Sequence, residues 1–109
     1  MKLLLNLLAA AGLLCATFAH AAVDADAAQA LMKKSDCMKC HAIDKKKDGP
    51  AYKEVAKKYK GKADAQDKLT KHITTGPMIE IDGAKEEHKK IKSTDAAEIK
   101  NAVQWMLSL

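Results

Sequence analysis

Two thiols separated by two residues, with a histidine directly after the second, form the word Cys37-Met38-Lys39-Cys40-His41. C-x-x-C-H is the attachment site of a c-type haem. The thiols of Cys37 and Cys40 can add across the two vinyl groups on one porphyrin edge, and two intervening residues let both sulfurs reach that edge. His41 follows at once, so its ring is delivered to the iron as the proximal ligand. Two other readings of the pair stay open at this point. A zinc site needs four ligands, here Cys37, Cys40 and two of His41, His72 and His88. A thioredoxin-like dithiol needs a βαβ setting, and no such pattern runs through the chain. The word therefore points to one haem c iron as cofactor.

The elements that must position this word begin after a leader. Lys2 is a charged start, residues 3–18 are an apolar stretch too short and Ala-rich for a comfortable membrane span, and Ala19-His20-Ala21 fits the small-x-small cleavage rule. Residues 1–21 read as a secretory signal peptide with Cys15 inside its apolar core. Residues 22–109 read as one small domain, periplasmic and without stable membrane insertion once the leader is cut. With Lys2 gone, 18 lysines face 14 acidic residues and there is no arginine. Lysine is a mobile point charge rather than a bidentate fork. That argues against specific nucleic-acid reading and for diffuse steering toward acidic partners.

Asp24 can cap a helix over 25–34, with Ala28, Leu31 and Met32 on one face. Gly49-Pro50 is a turn, and Pro50 sits where a helix over 52–59 can begin. A further helix is expected over 65–75, stopped by Gly76-Pro77. Residues 78–83 alternate and end in Asp82-Gly83, a hairpin signal. Ser93, Thr94 and Asp95 are cap candidates for a last helix, with Asp95 and Glu98 at capping-box spacing. Ile99, Ala102, Val103, Met106 and Leu107 form its apolar stripe. The class is all-α.

Three stretches carry a resemblance: residues 37–44 (CMKCHAID), 49–56 (GPAYKEVA) and 104–108 (QWMLS). Together they resemble a class I cytochrome c of the small bacterial c551/c552 kind, over nearly all of residues 22–109. The resemblance implies N- and C-terminal helices that cross, middle helices beside them, and one covalently bound haem. It implies thioethers at Cys37 and Cys40, iron on His41, and a hydrogen bond from the other His41 nitrogen to the carbonyl of Pro50. It also implies that His72 contacts a haem propionate and that Trp105 packs rather than reacts.

The chain departs from the family at the distal ligand. The family reads G-x-W-G-x-x-P-M between the third helix and the last, and that Met binds the iron. Here the segment is Gly76-Pro77-Met78-Ile79-Glu80-Ile81-Asp82-Gly83-Ala84-Lys85-Glu86-Glu87-His88. Counting back from Ser93, five residues reach His88 and fifteen reach Met78, against about half a dozen in the family. His88 is the expected distal ligand, Met78 (which follows a Pro, as the family ligand does) the alternative, and an open sixth position the third case.

The function expected is a one-electron carrier, monomeric and not an enzyme, that serves other redox proteins with acidic docking patches. A haem-based sensor or small-ligand binder is the alternative if the sixth ligand can be displaced. A peroxidase-like enzyme would need an open iron with a distal acid–base pair, which so short a chain does not offer.

Overall fold

The computed structural model describes residues 22–109 as five helices and one hairpin. The expected leader and its cleavage site lie outside the described residues. α1 is Ala25–Lys34; Asp24 caps it by accepting from the amide of Ala27 at 3.0 Å, and the face of Ala28, Leu31 and Met32 is buried. α5 is Ala96–Leu107, and the carboxylate of Asp95 accepts from the amides of Ala97 and Glu98 at 2.8 and 3.1 Å. The capping box is not reciprocal. The Ser93 hydroxyl donates to Glu98 at 2.7 Å and accepts from the Asp95 amide at 3.1 Å, so it takes the carboxylate that would otherwise turn back to the cap.

α1 packs on α5. Ala28, Ala102 and Val103 are at most 1% exposed there, and such small side chains let the two backbones approach. Asn101 ties the outer end of this pair: it accepts from the Asp24 amide at 2.9 Å and donates to the Asp24 carbonyl at 2.8 Å. α3 (Tyr52–Tyr59) and α4 (Ala65–Thr75) pack on α5 from its other sides. One core results, with Met32, Tyr52, Leu69, Ile73, Ile91, Ile99, Trp105 and Met106 among its members. Each such apolar side chain contributes about 1.5–3 kcal/mol on burial.

α2 is a single turn, Cys37–Cys40, that the periodicity of the sequence does not announce. Between α4 and α5 lies the hairpin of β1 (Met78–Ile81) and β2 (Ala84–Glu87), with Met78 opposite Glu87 and Ile81 opposite Ala84. Its two-residue loop has Asp82 at φ 50° and Gly83 at φ 81°. Two left-handed residues match the twist of antiparallel strands. The structure is thus the expected all-α arrangement with one small hairpin beside it.

Candidate haem site

A cavity of about 580 Å³ opens between these elements, within the range of roughly 300–1,000 Å³ usual for cofactor sites. Met32 of α1, Leu69 and Ile73 of α4, Ile79 and Ile81 of β1 and Met106 of α5 supply apolar wall. Cys37, Cys40 and His41 stand along one side, and His72 and His88 also face in.

The turn of α2 aims the C-x-x-C-H word. Asp36 enters it in a left-handed conformation (φ 61°), and the backbone leaves it extended at His41 (φ −122°). The following loop then folds back on the word. The amide of Gly49 donates to Cys40 at 2.8 Å, that of Tyr52 to Ala42 at 2.9 Å, and that of Lys53 to Ile43 at 3.0 Å. This return brings the Pro50 carbonyl to 2.7 Å from His41 Nδ1. A carbonyl can only accept, so Nδ1 carries the hydrogen and Nε2 keeps its lone pair for a metal.

Two neighbours fix the His41 ring further. Tyr52, 3% exposed, stacks on it with centroids 4.9 Å apart and meets Trp105 edge-on at 5.9 Å. Gly49 lies against the ring, where a Cβ would come within 2.4 Å of Cε1. Burial pushes the Tyr52 hydroxyl far above its ordinary value, so the phenol stays neutral.

His88 reaches the cavity through the hairpin. Its amide donates to the Pro77 carbonyl at 2.9 Å, one step beyond the Met78–Glu87 pair, and the amide of Ile91 donates to Ile73 at 2.8 Å. The ten residues from Met78 to Glu87 are therefore an excursion that leaves the end of α4 and returns to it. Gly76 makes the return possible. It caps α4 at φ 60°, and a Cβ there would lie 2.7 Å from the carbonyl oxygen of His88. Met78 is 64% exposed and takes no part in the cavity wall, whereas its neighbour Ile79 does.

The ring centres of His41 and His88 are 6.2 Å apart with planes inclined by 51°. A metal–imidazole bond is about 2.0–2.1 Å, and the nitrogen lies about 1.2 Å from its ring centre. Two imidazoles on opposite sides of one metal thus have centres roughly 6.4 Å apart. The residues present fit a metal held between these two rings. Burial, and next the neighbouring His72 and His41, hold the His88 imidazole below its ordinary value, which favours the neutral form a metal binds. His72 is lowered in the same sense, by burial first and then by His41 and Lys58. Among the described residues no group of three or more His, Cys, Asp and Glu side chains is arranged to hold a metal ion by itself. An iron that arrives with four porphyrin nitrogens of its own asks at most two side-chain ligands of the protein.

The cytochrome c family profile matches residues 25–109. The chain belongs to the cytochrome c family. It is 39% identical to cytochrome c-552 of Hydrogenobacter thermophilus over 94% of both chains, and 38% identical to cytochrome c-551 of Allochromatium vinosum over 72% of this chain and 82% of that one. Among solved structures it is similar to the class 1 cytochrome MtoD of Sideroxydans lithotrophicus ES-1: TM-score 0.77, 53% identity, 80% of this chain and 97% of that one. Wild-type cytochrome c552 of Nitrosomonas europaea follows with TM-score 0.61 and 31% identity, over 74% of this chain and 98% of that one. As a cytochrome c, the chain binds one covalently attached haem c and transfers electrons to other redox proteins; it is not an enzyme.

Sequence reasoning missed several residues that build this site. Gly49 reads as half of a turn, with no sign that a ring lies against it. Tyr52 reads as a helix start. Ser35, fully buried, accepts from the Lys92 amide at 2.8 Å and so joins the approach to the C-x-x-C-H word to the segment after His88. The side chain of Lys92 also pairs with Asp36 at 3.1 Å, although its setting among lysines reads as a solvated face. His72, expected at a propionate, has its ring 4.4 Å from that of His88.

Proposed function

We propose that this cytochrome is a periplasmic one-electron carrier with a bis-histidine haem: thioethers at Cys37 and Cys40, His41 proximal and His88 distal. The observation that carries the reading is the 6.2 Å spacing of the two imidazoles across the cavity, with Met78 turned to solvent. The periplasmic location rests on the leader read in residues 1–21.

Haem supplies the Fe(III)/Fe(II) couple. The chain's part is to keep the surroundings unchanged while charge changes. His41 is clamped by Pro50, Tyr52 and Gly49, and the backbone of His88 is tied to Pro77. Methionine as an axial partner of histidine raises the potential of a haem. Imidazole is the stronger donor, so two histidines favour the ferric state and set this carrier below a comparable His/Met cytochrome. Exposed lysines lie beside the attachment word at Lys39, Lys45, Lys46 and Lys47. They suit brief docking by a redox protein with an acidic surface.

Ferric optical and EPR spectra test the ligand set. The unaltered protein should be low-spin without the thioether–iron band, His88→Ala should become high-spin, His88→Met should gain that band and a higher potential, and Met78→Ala should change nothing. High-spin iron in Met78→Ala beside an unchanged His88→Ala would assign the sixth position to Met78. Slow or absent carbon monoxide binding to the ferrous form is expected of a carrier; rapid stoichiometric binding would favour the small-ligand sensor.

A further inference from the structure

Metal-bound histidines almost always donate their other ring N–H to a carbonyl, carboxylate or water, which fixes the ring plane. His41 does so through Pro50. His88 has no such firm bond: its Nδ1 is buried with no partner at hydrogen-bond geometry, and the polar group beside it is the adjacent Lys89 backbone. Its backbone is held by Pro77, but a backbone bond does not by itself set the side-chain torsions. The contact placed to set them is His72. The two rings meet edge-to-face, centroids 4.4 Å apart and planes inclined by 63°, the arrangement aromatic pairs prefer. His72 is four residues before Gly76, on the last turns of α4. The same end of α4 receives His88 after the hairpin, so both rings are referred to one rigid element.

We propose that His72 is the positioning residue of the distal imidazole: its ring, packed edge-to-face on His88, fixes the plane in which His88 is presented to the iron. The role belongs to the ring and not to a hydrogen bond or charge, which separates it from the propionate contact that the family resemblance implies. The proposal rests on His88 being the distal ligand.

Three variants of the haem-loaded protein test it. His72→Phe keeps a ring without hydrogen-bonding nitrogen, His72→Gln keeps hydrogen bonding without a ring, and His72→Ala has neither. One readout is the ferric low-spin EPR signal, whose g-anisotropy follows the relative orientation of the two imidazole planes. The other is the rate at which carbon monoxide replaces the sixth ligand of the ferrous form. His72→Phe should keep the EPR line positions and the rate of the unaltered protein. His72→Gln and His72→Ala should broaden or shift the signal and raise the rate by about two- to tenfold, the ordinary worth of an edge-to-face pair. A normal His72→Gln beside a disturbed His72→Phe would overturn the proposal in favour of a hydrogen-bonding role, and three unchanged variants would overturn it outright. Failure of the ligand assignment itself shows first and separately, as a thioether–iron band in the unaltered protein.

Discussion

Replacing Gly49 by alanine puts a methyl group into the His41 ring. The added Cβ would sit 2.4 Å from Cε1, 2.8 Å from Nδ1 and 2.9 Å from Nε2, all closer than such atoms approach. The ring has no easy retreat. Pro50 holds one nitrogen at 2.7 Å, and Tyr52 stacks on the ring with Trp105 behind it. Overpacking of this kind costs about 1–3 kcal/mol, and loss of the Pro50 bond adds about 0.5–1.5 kcal/mol. Gly49→Ala should therefore lose about 2–4 kcal/mol of stability. With a urea slope of about 1–2 kcal/mol/M for so small a domain, the midpoint of ferric unfolding falls by roughly 1–4 M. Weakening of the His41 donor should also raise the reduction potential. Gly61→Ala is the control. Gly61 has φ 74° and nothing within 4 Å of where the added methyl would stand, so the change costs only left-handed strain, about 1–2 kcal/mol, and should leave the haem spectrum and potential alone. A Gly49→Ala protein within about 0.5 kcal/mol of the original, with an unchanged potential, would refute the close packing deduced for His41.

Ser35→Ala removes the acceptor for the Lys92 amide and leaves that donor beside a buried site, so it should cost about 1–3 kcal/mol in chemical denaturation. Asp36→Asn tests the neighbouring ion pairs while keeping a residue that tolerates a left-handed backbone. Lys92 first and Lys39 next hold the Asp36 carboxyl below its usual 3.8. A depressed carboxyl contributes stability above the ordinary value and loses it as pH falls through the depressed one. The unaltered protein should thus be the more stable of the two at neutral pH, with the difference vanishing in strong acid; a difference that persists there would rule out the ion pairs as its source. Electron exchange with an acidic redox protein should slow as salt rises, because at roughly 0.1 M charges more than about 10 Å apart are screened; a flat salt profile would reduce the lysines to solubilisers.

Where one residue's local chemistry dictates the element, the sequence is legible. Asp24 and Asp95 cap α1 and α5, Gly76 ends α4, and Asp82-Gly83 turns the hairpin. Helices expected over 25–34, 52–59 and 65–75 are found at those bounds. Contacts between residues distant in sequence leave no such mark. Nothing local to Ser35 says that it receives Lys92, 57 positions away. The glycine–imidazole contact at Gly49 and the Tyr52 stack depend on a loop closing back on α2, and only the fold supplies that closure.

The hairpin shows why counting residues could point to His88 although the family word is missing. A two-stranded excursion with opposed ends adds length without adding distance: Pro77 and His88 are eleven positions apart and joined by a 2.9 Å hydrogen bond. His88 thereby keeps the short spacing to α5 that the family ligand has, whereas Met78 keeps only its neighbour Pro77. Strand alternation does the rest. Successive side chains point to opposite faces. Ile79 and Ile81 are half-buried in the cavity wall and Met78 is exposed and outside it, as alternation requires, while Glu80, also exposed, borders the cavity. Returning Met78 to the iron would require slipping β1 by one residue, and that slip would carry both isoleucines out to water. The apolar pattern of β1 therefore opposes Met78 as a ligand independently of any preference of the iron.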